Sequence, residues 1–520
     1  MPNPSRFFQY VVIGALIGAV PLRADAAEAT DAVSQQLAVA AQAGPRALLD
    51  ELAQLLAANP GLAASPGIAA ELARAAAAPV PDFVGANLPI YREIAEKIVA
   101  AAPTDQRVAV RSAIGHELTR YLATDIQIMP PLMPTTTGTL PTQPPEVGGT
   151  GFKVGSFTVY PEIQAGTFYD NNIYATRTAR VTDLAVTVSP RLEVQSNWDR
   201  HALYADFGTD LTNYASHVGE NTIDWHSIVE GRIDVDNDTR IVLGGVALQE
   251  HEDRSSPDAV EGITPTPYYQ QSGYFGVLHR FGDINVRVGG GIERITFGNV
   301  MGTNGEINNQ DRNRNRYTMG ALVRDDARED FQPFVEGLAD LRRYDQTVDD
   351  FGYQRNSDGY RAGLGTIFRM SSDISGNIFA GIIQRTYTDQ RFKPVTTFAI
   401  DGNLRWQIGE DTAIVAFLDR SVEESTLPGS PAYVYSVLGG RIEQALRPDL
   451  TAFFRAAVSR ADFLQVGRSD DEADISIGAR YYVTEKLYLG VDTRYTQRVA
   501  GTSIYSFSRN QLFLTVGSAF

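Results

Sequence analysis

Cysteine is absent from all 520 residues of the chain. That excludes a disulfide scaffold, a thiolate metal site and a cysteine nucleophile. Long apolar runs are also missing: past the first thirty residues no stretch suits a spanning helix, so any membrane role rests on strands. Basic charge is in deficit, with 45 Lys and Arg against 62 Asp and Glu, a net charge of −17 with His neutral. A nucleic-acid binder normally carries a basic patch or stripe, so nucleic acid is excluded as a partner. The six histidines (His116, His201, His217, His226, His251, His279) show neither H-E-x-x-H nor H-x-x-x-H spacing. A barrel phospholipase needs an arranged Ser/His/Asn set, and no local run proposes one. Gly289-Gly290-Gly291 sits inside a strand pattern, where glycine marks a bend or a close approach, not a phosphate cradle. No catalytic residue, metal or cofactor is expected, and the chain reads as a non-enzyme.

What the chain does have is glycine, 46 residues, and an aromatic share of 10%, the composition of an ordered protein rich in β structure. Its organisation changes three times. Arg6, an apolar run from Phe7 to Leu22 and the small-residue exit Ala24-Asp25-Ala26 have the form of a secretory signal peptide over 1–26. Residues 27–125 are Ala- and Leu-rich with helical periodicity, as in Ala47–Leu56 and Tyr91–Val99. Pro45, Pro66 and Pro103 stand where a helix start needs no N–H, giving four or five short helices. Alanine faces are shallow, so loose packing is expected there. A partner-binding region and a plain spacer are both open for it. Residues 126–152 form a linker: six prolines, a Thr-Thr-Thr run and a Gly-Gly favour extended chain.

Beyond Gly151 the period becomes two, and 44 of the 50 aromatics lie there. Leu184, Val186, Val188, Leu192 and Val194 fall on one side of a strand, with Thr187, Ser189, Arg191, Glu193 and Gln195 on the other. Phe398, Ile400, Leu404, Trp406 and Ile408 oppose Asp401, Asn403, Arg405 and Gln407 in the same way. Ile475, Ile477, Ala479, Tyr481 and Val483 oppose Asp474, Ser476, Gly478, Arg480 and Tyr482. Each such strand has one apolar and one wet face.

Turn spacing separates a membrane barrel from a soluble sandwich. Tight polar turns at 197–199, 236–238, 281–283, 325–326, 371–373, 409–411, 447–449 and 484–486 recur about every 37 to 47 residues, too far apart for sandwich strands. Longer polar connections alternate with them, at His251–Pro265, Asn299–Asp311, Tyr344–Asn356 and Ser421–Pro431. Short turns on one rim and long loops on the other characterise outer-membrane barrels. Leu512, Leu514, Val516 and Phe520 share the last outward face, and an alternating strand ending on an aromatic resembles the C-terminal signal of outer-membrane proteins. Eight tight turns with one strand at each end give about eighteen antiparallel strands over 153–520, the first from about Phe157 to Tyr169 and the last from about Gln511. Register is least defined over Arg240–Leu248 and Thr412–Leu418, where both faces are apolar. The expected fold is an all-β transmembrane barrel preceded by a small α-helical periplasmic region, with outer-membrane lipid and the barrel assembly machinery as partners.

The run Tyr169-Asp170-Asn171-Asn172-Ile173-Tyr174 adds a resemblance. It matches the Tyr-Asp-(Asp/Asn)-Asn-Ile-Tyr run often found in the first hairpin of the outer-membrane β-barrel porin family of Gram-negative bacteria. Residues from roughly 155 to 520, about 70% of the chain, resemble that family. Its relatives are similar to barrels thought to pass exopolysaccharide, so the resemblance implies polysaccharide export.

The wet face carries the candidate lumen lining: Arg191, Glu193, Asp206, Asp224, Arg232, Arg287, Glu336, Asp340, Arg361, Arg369, Asp401, Arg405, Arg441, Arg455, Asp474, Arg480, Asp492 and Arg494. Opposed signs on neighbouring strands can brace the wall as cross-strand ion pairs. The prevalence of Arg over Lys fits recognition of carboxylates or phosphates, and basic rings select anions in pores. Both readings stand. Tyr160, Tyr204, Tyr344 and Tyr482 could stack on sugars or brace the wall. His226 is expected to bond within the wall near Asp224, and Asp470-Asp471-Glu472 reads as a solvated acidic loop. The chain is thus expected to be a porin-like channel for hydrophilic solutes, exopolysaccharide or anionic sugars among them. A structural or adhesive barrel with a filled lumen, and an esterase embedded in the barrel, are the alternatives.

Overall fold

In the computed structural model the described residues are 33–41, 44–77, 88–104, 106, 107, 110, 114 and 151–519, less single residues at 199, 261, 329, 372, 410, 426, 448 and 485. The signal peptide expected at 1–26, the linker up to residue 150 and Phe520 lie outside them.

Among the described residues four continuous short helices come first: α1 (33–41), α2 (Pro45–Ala58), α3 (Pro66–Ala77) and α4 (Leu88–Ala101). Pro45 and Pro66 open their helices, where the missing N–H costs nothing. In α2, Leu48, Leu49, Leu52, Leu55 and Leu56 recur at i, i+1, i+4, i+7 and i+8, one apolar stripe. That stripe meets Leu37, Leu72, Ile94 and Ile98 in a single buried core. The expected loose packing is therefore corrected. Ala69, Ala73 and Ala76 are fully buried, because their small side chains let the helices approach and the leucines fill the remaining space. No described helix is long and apolar enough to cross a membrane.

The rest is a closed antiparallel barrel. Its eighteen strands are β1 (Phe157–Asp170), β2 (Asp183–Ser196), β3 (Ala202–Tyr214), β4 (Thr222–Asp234), β5 (Thr239–His251), β6 (Pro267–Phe281), β7 (Ile284–Phe297), β8 (Arg314–Asp325), β9 (Phe331–Tyr344), β10 (Ser357–Arg369), β11 (Ile374–Tyr387), β12 (Val395–Ile408), β13 (Thr412–Glu424), β14 (Ala432–Arg447), β15 (Leu450–Phe463), β16 (Arg468–Tyr482), β17 (Leu487–Ala500) and β18 (Phe507–Ala519). Each pairs with its neighbour in sequence, and β18 returns to β1 from Glu162↔Ala519 to Asp170↔Gln511. Closure leaves no edge, as hydrocarbon requires, since lipid offers no partner to a backbone N–H or C=O. A short strand, Phe152–Val154, pairs with the start of β1 where β1 overruns β18.

Two to five residues separate strands at one rim and up to sixteen at the other. Every tight turn read from the sequence lies at the short rim. Gly282, at φ 62°, sits in the two-residue turn between β6 and β7 in the left-handed region that glycine favours. Gly290 and Gly291 mark close approach: an added Cβ would stand 3.2 Å from the Thr318 and Gly273 carbonyl oxygens respectively. In the two strands of ambiguous register, Val242, Val246 and Leu248 of β5 and Ala413 of β13 take the buried face, while Leu243 is exposed.

Three boundaries differ from expectation. β18 begins at Phe507 instead of Gln511, because buried Phe507 and Arg509 continue the inward alternation and Arg509 pairs with Asp170. β13 runs through Glu424, so the following loop is 425–431. Asp470, Asp471 and Glu472 lie in β16 and not in a loop, because that strand starts at Arg468. Asp470 pairs with Arg468 and Glu472 with Arg498, while Asp471 is exposed beside Arg460.

Candidate functional site: the barrel interior and its loop mouth

Strand alternation sorts the wall into two chemistries. The lipid-side face shows exposed Leu184, Phe275, Leu364, Phe398, Ile477 and Leu514 in successive sectors of the ring. On the other face of the same strands are charged side chains that touch one another across several strands. Arg342 of β9 reaches Glu424 of β13, a contact that only side chains inside a closed barrel can make.

The eighteen sequence-derived residues fall on this inner face as follows. Arg191 grips Asp206 with two bonds of 2.9 and 2.8 Å and stands 3.0 Å from Glu193. Asp224 pairs with His251 at 2.8 Å, and Arg232 with Asp234 at 3.1 Å. Arg287 and Arg405 are buried, and Arg369 is half-buried at the short rim. Arg361 lies between Asp401, to which it bonds, and Glu336 at 3.7 Å, with its guanidinium 4.0 Å above the Phe379 ring. Asp340 takes Arg316, Arg342 and Arg385 together. Arg441 pairs with Glu443 at 2.6 Å, Arg494 with Asp474, and Arg480 sits over Tyr488. Arg455 and Asp492 are half-buried on the same face.

His226 is a bonded wall residue as expected: it shares the inner face of β4 with Asp224, and its Nε2 stands 3.5 Å from Asp206. Gly208 is directly opposite and has no side chain, so the imidazole lies over it and reaches two residues further along β3. Of the four tyrosines, Tyr344 donates to Glu424, Tyr482 packs on Tyr488, and Tyr160 and Tyr204 are buried.

Register adds an order the sequence alone hid. Following cross-strand partners from Arg405 leads to Val415, Arg441, Arg455, Ser476 and Arg494. Partners in such a row have Cβ atoms about 4.5–5.5 Å apart, so four guanidiniums share one contour of the wall. Two inward positions nearer the long-loop rim, the parallel row reads Asp401, Asp419, Val437, Ser459, Glu472 and Arg498. An arginine contour thus lies below one that carries three carboxylates.

Above both, long loops fold inward. The 252–266 loop crosses to the far wall: Arg468 donates to the Pro257 carbonyl at 2.8 Å, Arg498 to the Ser255 carbonyl, and Arg509 stands 3.7 Å from Asp253. Desolvation raises the Asp253 carboxyl, but Arg509 and the Ser255 hydroxyl and N–H outweigh it and hold the group below the usual carboxylate range. Buried Arg355 pins a second loop to a third, donating to the Ser425 and Ser430 carbonyls at 2.6 and 2.9 Å and to Asp349 at 2.7 Å. Between these loops and the wall is a cavity of about 480 Å³, lined by Glu252, Asp258, Asp349, Glu423 and Glu424 with Tyr268, Phe297 and Phe351. Sequence reading missed Arg355, Arg385, Arg468, Arg498 and Arg509.

The first-hairpin run has a structural role in this arrangement. Asp170, fully buried, accepts from Arg509 at 2.6 Å, Gln511 at 3.0 Å and the Asn172 N–H at 2.8 Å. Asn172 donates to the Ser508 carbonyl at 2.9 Å. Both residues tie the seam where the last strand meets the first.

Residues 144–520 match the family described as "Putative beta-barrel porin 2". No curated protein matches the chain in sequence. Among solved structures, the chain is similar to OpdK of Pseudomonas aeruginosa, at 13% identity, TM-score 0.37, 70% of this chain and 99% of that one. It is also similar to OccAB3 of Acinetobacter baumannii, at 10% identity, TM-score 0.41, 71% of this chain and 100% of that one. OpdQ of Pseudomonas aeruginosa is a further relative in shape, at 11% identity, TM-score 0.40, 71% of this chain and 98% of that one.

Proposed function

The chain belongs to the beta-barrel porin 2 family, and from that premise we propose that it is a passive outer-membrane channel for hydrophilic solutes, narrowed at its long-loop mouth. The observation that carries this reading is the inverted wall, apolar outside and charged within. Barrels of sixteen to eighteen strands leave an aqueous passage unless something fills them. Here the inward loops restrict the passage at one level, which favours selection among solutes over free diffusion.

The finer assignments extend the same reading. The candidate lining from Arg191 to Arg494 meets the solute, and exopolysaccharide or anionic sugars are the substrates proposed. The leader at 1–26 is removed on export, and the helical region sits in the periplasm, since β1 starts at the short-turn rim. Outer-membrane lipid and the assembly machinery are its proposed partners.

Conductance of the purified barrel in a planar lipid bilayer tests the channel. Discrete single-channel steps are expected. A second reading is favoured by one observation, the tethering of the 252–266 loop across the interior. On that reading the lumen is filled and the barrel acts through its surface. A barrel that inserts yet never conducts would support it.

A further inference from the structure

We propose that Arg455 is the anion-binding station of the lumen, taking a carboxylate or phosphate group of the passing solute between Arg441 and Arg494. This deepens the channel reading and rests on it for the word "passing", but not for binding itself.

The arginine contour is the starting point. Like charges directly opposite one another on neighbouring strands repel, and a wall built only for stability would alternate signs. Arg441 and Arg455 are direct cross-strand partners, and Arg455 is followed in the row by Ser476 and then Arg494. The two outer members have their own carboxylates: Glu443 lies 2.6 Å from Arg441, and Asp474 bonds to Arg494. Arg455 is different. Asp474 and Asp492 stand within Coulombic reach of it, but it makes no hydrogen bond or ion pair among the described residues. It is half-buried, hence accessible from the lumen.

Its surroundings hold the neighbours in place. Arg441 is 4.6 Å from the Phe453 ring, and Thr496 donates to the Asp474 carboxylate at 2.8 Å. The outer guanidiniums are thus fixed with their charges partly neutralised, while the central fork keeps its donors for a ligand. A guanidinium fork matches the two oxygens of a carboxylate or phosphate, and such charge-assisted pairs are the stronger hydrogen bonds. A neutral sugar lacks the charge and gains only ordinary hydrogen bonds.

The test uses the mature chain in detergent and in bilayers, with glucuronate, inorganic phosphate and neutral glucose as probes. Calorimetry is expected to show glucuronate or phosphate binding that weakens about tenfold or more in Arg455→Gln, the loss of one charged hydrogen-bond partner. Arg455→Lys retains the charge without the fork and falls between. Arg460→Gln, on the outward face of the same strand, leaves binding unchanged. Glucuronate binding alone would identify sugar carboxylates as the ligand, and phosphate binding alone would identify phosphoryl groups. Equal binding by wild type and Arg455→Gln, or an equal loss in Arg460→Gln, overturns the proposal. A conducting channel with that result keeps its function and loses this site. A non-conducting barrel that binds through Arg455 keeps the site and loses the channel.

Discussion

The helical region and the barrel bury opposite things. In the helices Leu52 is 0% exposed, and the core is leucine, isoleucine and alanine. In the barrel Leu364 is 65% exposed while Arg324 is 2% exposed. One chain obeys both arrangements because the solvent differs. Water drives the leucines of a helix stripe together. Hydrocarbon gives them nothing to escape, so the barrel can place its apolar side chains outward and keeps its charged ones on the inner face, away from lipid. The lesson is that amphipathicity fixes which residues share a face, and the surroundings fix which face is inside.

The most severe way to break the comparison is to give each region the other's residue. Leu52→Arg puts an unpaired charge into the helical core and is expected to cost more than about 5 kcal/mol, unfolding that region. The helical signal in circular dichroism should fall while the barrel keeps its heat-resistant compact band on gels. Next comes Asp340→Ala, which leaves Arg316, Arg342 and Arg385 facing one another. Stranding buried charge costs about 3–5 kcal/mol, to be read as a lowered urea midpoint of the folded barrel in vesicles. Leu364→Arg, in the middle of β10 facing lipid, is expected to cost about 2–4 kcal/mol in the same assay. No cost there would place that face against something other than lipid.

The smallest effect concerns the mouth. Asp253 has its carboxyl held below the ordinary value, so its contribution to loop docking is complete above about pH 4, the unfolded range of Asp. That contribution is lost as pH falls further, through the lower folded value. With Asp253→Asn as the reference for the protease's own pH profile, wild-type pepsin cleavage within 252–266 should be the slower of the two above about pH 4 and converge on the variant only below it. Equal cleavage of both at about pH 5 would contradict the tether.

The barrel was legible because its turns and its period of two are both local signals. Strand number came from eight polar turns, and the inner face from positions such as Arg191 and Asp474 opposite Leu192 and Ile475. Another local signal went unused. Arg191–Glu193, Arg232–Asp234, Arg324–Asp326, Asp340–Arg342, Arg441–Glu443 and Arg468–Asp470 are ion pairs two residues apart. Side chains at i and i+2 of a strand share a face, so each such pair marks that face and is readable from the chain. The rest was not local. The contour joining Arg405, Arg441, Arg455 and Arg494 depends on the stagger between strands, which alternation leaves open. The His226–Asp206 contact depends on a glycine opposite. Loop 252–266 has no period at all, and its partners Arg468, Arg498 and Arg509 lie more than two hundred residues away.

The absence of native cysteine allows the central claim, lipid outside and water inside, to be measured directly at two adjacent positions. Single cysteines at Thr515, half-buried on the inner face, and Leu514, exposed on the outer one, would be challenged in the vesicle-inserted barrel with a charged, membrane-impermeant thiol reagent. The account predicts modification at 515 through the lumen and protection at 514 by lipid. Modification at 514 with protection at 515, or equal reaction at both, would contradict it.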